Sequence, residues 1–346
     1  MIKIGKLNIS DKSSCVIVAE ISANHMGNLN NAKKLISAAK KVGANAVKIQ
    51  CYEADDVTLK SNKKDFRIKK NSPWSSYKNY WNLYNSASTP MDWAAPLIKH
   101  ANKIGIEIFA SIFSEEKVEL MEKLGISAYK IASPELNHIP LIKKISETNK
   151  PIIISTGLAE KGDIENFLRN IKKKFLKNII ILKCTSIYPT PLNELNLKDI
   201  IHYKKKYKSI VGLSDHSLSN IPSIIAVSYG AKMIEKHLVL NNNKKTPDSF
   251  FSLKPKEFKN LISDVRDAEK SIQNNPASSL LRKNMTNKRS IYVSRDINKS
   301  ERISPQNIKV VRPNHGMHPK YYSKILGKKV NKKILFGERV KINDIK

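Results

Sequence analysis

Short apolar runs and stretches of helical periodicity alternate along most of this chain. The first run, Val16-Ile17-Val18-Ala19, is too short for a helix and rich in β-branched residues. It predicts a buried strand ending on a carboxylate, Glu20. Ala32, Leu35, Ile36 and Ala39 then recur at helical spacing, with Asn28 placed to cap the helix and Gly43 to stop it. A second strand over residues 46–50 follows at once, and a βαβ unit of this kind belongs in a parallel sheet covered by helices. Within it Lys48 and Gln50 share one face. Further strands are expected at 107–111, 128–132, 151–155, 179–184, 210–214 and 233–237. Eight strands alternating with helices over about 270 residues predict a closed (β/α)8 TIM barrel, with a doubly wound open sheet as the runner-up.

Three stretches break this rhythm. Residues 2–9 alternate and predict a hairpin closing the barrel floor. Residues 53–86 are polar and aromatic, with Trp74, Tyr77, Tyr80, Trp81 and Tyr84, and a connection of that length reads as a functional loop or lid. Thr89-Pro90 then reads as the cap and first turn of a helix running to Ile104-Gly105. Residues 271–287 read as a polar linker between the barrel domain at 1–270 and a small β-rich domain at 288–346. The small domain carries a faint repeat: Ile297-x-x-Ser-Glu-Arg-Ile against Ile334-x-x-Gly-Glu-Arg-Val.

At 346 residues the chain can bury a large core, and no apolar run approaches the roughly 20 residues of a membrane span. The start lacks a signal-peptide core, and three scattered cysteines point to a reduced cytoplasm. The net charge of +32 raises the question of nucleic acid. The excess is mostly lysine spread along the chain, however, and its runs fall on outer helices, so solvated surface is expected and no nucleic-acid or membrane partner.

Every expected barrel strand ends on a polar group, among them Glu20, Lys48 with Gln50, Ser111, Lys130 with Ser133, Ser155, and Glu235 with His237. One or two such groups can be buried ion pairs; a full ring is better explained as an active site. His216 and His237 stand at the tips of adjacent strands, close enough to share a metal. A lone histidine there reads as a general base or core residue. With no cysteine nearby, an N/O site suits Mn²⁺ first, then Mg²⁺ or Co²⁺. Lys48 and Lys130 read as ion-pair partners of Glu20, Glu135 or Glu235, as a clamp on phosphate or carboxylate, or as a Schiff-base lysine.

AEISANHMG, KIQ, YKIASPE, ISTGLA, KCTSIYPTP, GLSDHS, EKH and PDSFFSL, in that order, resemble the sialic acid synthase family of phosphoenolpyruvate-dependent nonulosonate synthases. RSIYVSRD, VVRPNHGMHPKY and LGKK resemble that family's C-terminal antifreeze-like (SAF) module. WNLYNSASTPMDW and GMHPKYYSKILGKK are similar to its pseudaminic acid synthase branch; the N-acetylneuraminate and legionaminate branches are the alternatives.

The resemblance implies a metal on His216 and His237, and a phosphoenolpyruvate site of Lys48, Ser111, Lys130, Ser133, Ser155 and Ser186. Glu20 and Asp248 would be catalytic, flanking metal and acceptor, with Gln50, Glu135 and Tyr188 near the sugar. Arg312 would reach the sugar from the partner subunit of a homodimer with exchanged C-terminal domains. The implied reaction condenses phosphoenolpyruvate with an acylated amino-hexose and releases phosphate. Two departures bear on substrate detail: Ala110-Ser111-Ile112-Phe113 where the family has Ser-Thr/Ser-Pro-Phe, and Lys245-Thr246 where it has Gly-Gly before Pro247-Asp248.

Overall fold

The eight apolar runs become the staves of a closed parallel barrel. The computed structural model describes residues 1–241, 245–273 and 287–346, and these fall into two units, Met1–Ile272 and Gln273–Lys346. Most of the linker expected at 271–287 lies outside the described residues. In the first unit, β1 (Ile2–Ile4) and β2 (Leu7–Ile9) form the expected antiparallel hairpin. Ile2, Ile4 and Ile9 enter the core, and the Lys6 amide donates to Glu107 at the entry of a barrel strand, which puts the hairpin across the barrel floor.

The barrel strands are β3 (Val16–Glu20), β4 (Ala46–Cys51), β5 (Glu107–Ile112), β6 (Tyr129–Ile131), β7 (Ile152–Ser155), β8 (Ile179–Cys184), β9 (Ile210–Asp215) and β10 (Met233–His237). They pair in sequence order and β10 closes onto β3, which sets aside the open sheet. Interior side chains and outer helices cover both faces, so nearly every strand position is buried and the runs need no polar alternation.

Helix α1 (Leu29–Val42) is capped as expected: Asn28 accepts from the Asn31 amide, and Gly43 takes the left-handed conformation (φ 96°) that ends the helix. The stretch after β4 is not a plain loop. It holds α2 (Ala54–Val57) and α3 (Tyr80–Ala87), with short 3₁₀ turns between them. The helix expected from Thr89 starts later. Met91–Trp93 is a 3₁₀ turn, and α4 runs over Ala94–Ile104 without a side-chain cap. Thr89 is spent elsewhere: it bridges to Cys51, and its hydroxyl lies 3.1 Å from His25 Nε2.

In the second unit β11 (Ser290–Val293) pairs with β12 (Ile308–Val311). The sequence repeat is a structural one. Glu301 accepts from the Asn298 amide and Glu338 from the Leu335 amide, closing equivalent turns. Ser300 (φ 69°) and Gly337 (φ 81°) hold matching left-handed positions. The repeated apolar positions Ile297, Ile303 and Ile308, with Ile334 and Val340, fill the unit's small core.

Candidate active site

The carboxyl ends of the barrel strands surround a cavity of about 290 Å³. Strand register places its floor. Glu20 lies beside Lys48 and beside His237, Gln50 beside Ser111, and Ser111 beside Lys130. Lys48 and Gln50 both line the cavity, as their shared face requires, and so do Lys130, Ser133, Ser155 and Ser186. Asp248, Glu135, Tyr188, His216 and His237 complete the expected set in the walls. Glu20 and Ser111 are fully buried and lie outside the lining. Arg312 belongs to the second unit, where it is exposed.

The two lysines are ion-paired with buried carboxylates and line the cavity as well. Lys48 Nζ is 2.7 Å from Glu20 Oε2 and 2.8 Å from Glu235 Oε1; Lys130 Nζ is 3.2 Å from the same Glu235 oxygen. Ser214 Oγ donates to that oxygen too, at 3.2 Å. Glu235 therefore gathers two cations, and of the carboxylates expected as partners of these lysines Glu135 pairs with neither. Burial pushes Lys48 down to about 8. Glu235 is itself buried, which favours its neutral form, but the two ammoniums outweigh this and hold its carboxyl well below the usual range.

Other polar atoms here have no protein partner. Ser155 Oγ, in the lining, is buried without a hydrogen bond, an arrangement expected where a ligand supplies acceptors; Ser111 Oγ is likewise unpartnered but lies outside the lining. Ser133 Oγ accepts from the Leu158 amide, which draws the turn after β7 over the floor. Gly157 in that turn has no room for a side chain: a Cβ would stand 2.2 Å from Ser186 Oγ and 2.9 Å from Cys184 Sγ. Two buried ammoniums, hydroxyls and a glycine-cramped turn together suit a small oxyanion such as a phosphate or carboxylate.

The histidines fit a divalent ion. Their ring centroids are 5.5 Å apart. His216 Nδ1 is 3.0 Å from the Thr185 carbonyl, to which it donates; burial alone would lower this ring's pKa, but the neighbouring Cys184 thiol and the Thr185 carbonyl outweigh it and raise the pKa above the usual value. His237 Nδ1 is buried with no hydrogen bond, 3.9 Å from Asp248 Oδ2, and burial holds the ring well below its usual pKa, so it is neutral and able to ligate. Among the described residues no three His, Cys, Asp or Glu converge as a metal group. Were a divalent ion held here, the two histidines would be its side-chain ligands, and oxygen from water or substrate would have to fill the remaining positions.

The outer wall is aromatic: Trp74, Tyr80 and Tyr84, from the stretch expected to be a functional loop or lid, line it with Tyr188, and Phe251 is the member that the sequence did not single out. Trp74 Nε1 donates to the Pro247 carbonyl at 2.8 Å and stacks edge-on against Tyr188 and Phe250. It ties the segment after β4 to the loop bearing Asp248. That loop is also tied to the turn after β3: Thr246 Oγ1 donates to Asn24 Oδ1 at 2.6 Å, Asn24 Nδ2 donates to Ser252 Oγ and to the Leu238 carbonyl, and the Ala23 amide donates to Asp248 Oδ2 at 3.3 Å. Thr246 thus adds an anchor where the family has glycine. Asp248 opens partly to the cavity, and desolvation pushes its carboxyl up to about 6.

The NeuB family model matches residues 35–276, and the SAF domain model matches residues 288–346. The chain is 42% identical to the pseudaminic acid synthase of Campylobacter jejuni subsp. jejuni serotype O:2 over 344 residues, 99% of each chain. It is 38% identical to the pseudaminic acid synthase of Helicobacter pylori over 334 residues, 95% of this chain and 97% of the relative. Among solved structures, the N-acetylneuraminic acid synthetase of Leptospira borgpetersenii superposes with a TM-score of 0.70 at 27% identity, covering 82% of this chain and 94% of that one.

Proposed function

This chain belongs to the NeuB family, and from that membership we propose that it is a pseudaminic acid synthase-type enzyme. It condenses phosphoenolpyruvate with a 2,4-diacetamido-2,4,6-trideoxy hexose and water, giving a nine-carbon keto-acid sugar and phosphate. The observation that carries this reading is the full-length likeness to two pseudaminic acid synthases in a chain whose barrel mouth holds Lys48 and Lys130 beside unpartnered hydroxyls.

Lys48 and Lys130 bind the carboxylate and phosphate, with Ser111, Ser133, Ser155 and Ser186 supplying hydroxyls. His216 and His237 would hold a divalent ion, Mn²⁺ by preference, and the chemistry it supplies when bound is Lewis-acid polarisation of the acceptor aldehyde. C3 of phosphoenolpyruvate forms the new bond to that aldehyde carbon. The aldehyde oxygen takes up a proton and becomes a hydroxyl; water adds at C2, and the resulting C2 hydroxyl gives up its proton as the C–O bond to phosphate breaks, leaving a ketone and phosphate. Glu20 takes the proton of that water. Its Oε1 accepts from the Ser22 amide and hydroxyl, and its Oε2 pairs with Lys48. An anion that draws Lys48 away removes the carboxylate's counter-charge and raises its basicity. Asp248, Gln50, Glu135 and Tyr188 orient the sugar.

Arg312 completes the sugar site from the partner subunit of a homodimer with exchanged C-terminal domains. Three buried cysteines without disulfides support a reduced, cytoplasmic setting, and among the described residues no helix is long and apolar enough to cross a membrane.

The test is phosphate release from phosphoenolpyruvate, with Mn²⁺, against N-acetylmannosamine and its 2,4-diacetamido-trideoxy analogues. Turnover should be fastest with a diacetamido-trideoxy acceptor. No release with any acylated amino-hexose sinks the reading, and a lysine labelled by borohydride in the presence of pyruvate would favour a Schiff-base lyase instead.

A further inference from the structure

One wall of the cavity has no part in the reaction as assigned. Tyr52, Ala87 and Phe113 are buried in a small hydrophobic cluster separate from the barrel core, with Val57 and Tyr84 packed against it. All five line the cavity, and so does Leu83 of α3. The Tyr52 ring meets Phe113 edge-on at 4.8 Å and Tyr84 at 6.1 Å, so the wall is a packed surface. Its α2 and α3 residues come from the long segment after β4. Apolar area facing a cavity gains free energy when a ligand methyl replaces water there.

Beside this wall stands Glu135, just past β6. Its Oε2 is buried without a hydrogen-bond partner, and its charge acts on the Tyr52 and Tyr84 phenols. Burial pushes the carboxyl up to about 7. A buried acceptor next to an apolar surface calls for a ligand group that carries a donor and a methyl together. A hydroxyl would serve Glu135 and leave the wall wet; a lone methyl would do the reverse.

We propose that Val57, Leu83, Ala87 and Phe113 form, with Glu135, a subsite for the second acylamino group of the acceptor sugar, its amide N–H donating to Glu135 and its methyl lying on the wall. This rests on the reaction proposed above and names the feature of the acceptor that the segment after β4 selects.

The experiment compares two acceptors that differ only at C4, a 2,4-diacetamido-2,4,6-trideoxy hexose and its 4-hydroxy counterpart. Phosphate release is measured for the full-length chain, for Leu83→Asn and for the near-isosteric Val57→Thr. The kcat/KM ratio favouring the diacetamido acceptor should fall roughly tenfold in the variants, the scale at which a hydrophobic pocket discriminates a methyl-sized group. A ratio that stays put in both variants, while the parent chain turns over both acceptors, overturns the subsite and leaves the reaction standing. No turnover of either acceptor by the parent chain overturns the reaction itself. Should thermal melting show that Leu83→Asn does not fold, Val57→Thr decides alone.

Discussion

Lys48 Nζ donates to Glu235 Oε1 at 2.8 Å inside a barrel mouth that buries both groups. Burial lowers Lys48 to about 8, and Glu235 limits the fall. The sign follows: below that pH the ammonium is present and the clamp is whole, and as pH rises through it the charge is lost. Affinity for phosphoenolpyruvate, read as 1/KM, should therefore decline above about pH 8. In Glu235→Gln one of the two carboxylates that pair with Lys48 is gone, and the decline should begin at lower pH. Initial rates at varied phosphoenolpyruvate across the alkaline range check this; an unmoved limb in Glu235→Gln would show that another group titrates.

Lys130 shares that carboxylate oxygen at 3.2 Å and lines the cavity. Lys130→Ala should raise KM for phosphoenolpyruvate far more than KM for the sugar. A lost charge-assisted contact costs roughly 1.5–3 kcal/mol, about one to two decades in affinity. Equal losses for both substrates would point to a structural role for this lysine.

The unpartnered Nδ1 of His237 gives the metal reading a direct test. His237→Ala should bind Mn²⁺ at least about tenfold more weakly, by titration calorimetry or by the metal's paramagnetic resonance signal, and its melting temperature without metal should stay close to the parent's. Chelator treatment should silence the parent chain, and added Mn²⁺ should restore it. Full turnover of His237→Ala after chelation would remove the two-histidine site.

The barrel was legible because its strands are buried on both faces, which makes them β-branched runs too short for helices. The polar tips were legible for a related reason: an ionisable group at the end of such a run stands out. What escaped depends on register and on short elements. The strand-tip pattern takes Glu235 with His237 and passes over Lys236, which alternation sends outward. There it meets Asp215 on the adjacent strand at 2.5 Å, both side chains fully enclosed. Asp215 also accepts from the Ser217 amide, so the pair braces the turn that carries His216 and leaves the cavity to its neighbours. The apolar wall was illegible because α2 has four residues and α3 eight, too few for periodicity to rise above an aromatic, polar background.

Thr246 offers a sharper prediction because it departs from the family's glycine. Its hydroxyl completes the set of partners that hold Asn24, and through Asn24 the loop bearing Asp248. Thr246→Val keeps the volume and leaves Asn24 Oδ1 buried without its donor, a loss of about 1–3 kcal/mol. If that loosens Asp248, KM for the sugar should rise severalfold while KM for phosphoenolpyruvate holds, and Thr246→Ser should recover the parent value. Equal change in both constants would make the bond a matter of stability alone.

The last prediction concerns Arg312 and assembly. Arg312 is an exposed residue in a unit whose own core is a few isoleucines and valines, so that unit has little interior with which to build a site of its own. Under the proposed exchange, each Arg312 serves its partner's barrel in a two-fold dimer, the commonest closed symmetry. Arg312→Ala and Glu20→Gln should each be inactive as homodimers. Mixed and allowed to exchange, they should regain activity, because a heterodimer then contains one site with both residues intact. With random pairing half the dimers are mixed and each has one complete site, so recovery should approach about a quarter of the parent's sites. Recovery must follow exchange, monitored by native mass spectrometry of differently tagged subunits. Verified heterodimers that stay inactive would mean that Arg312 serves its own barrel or none.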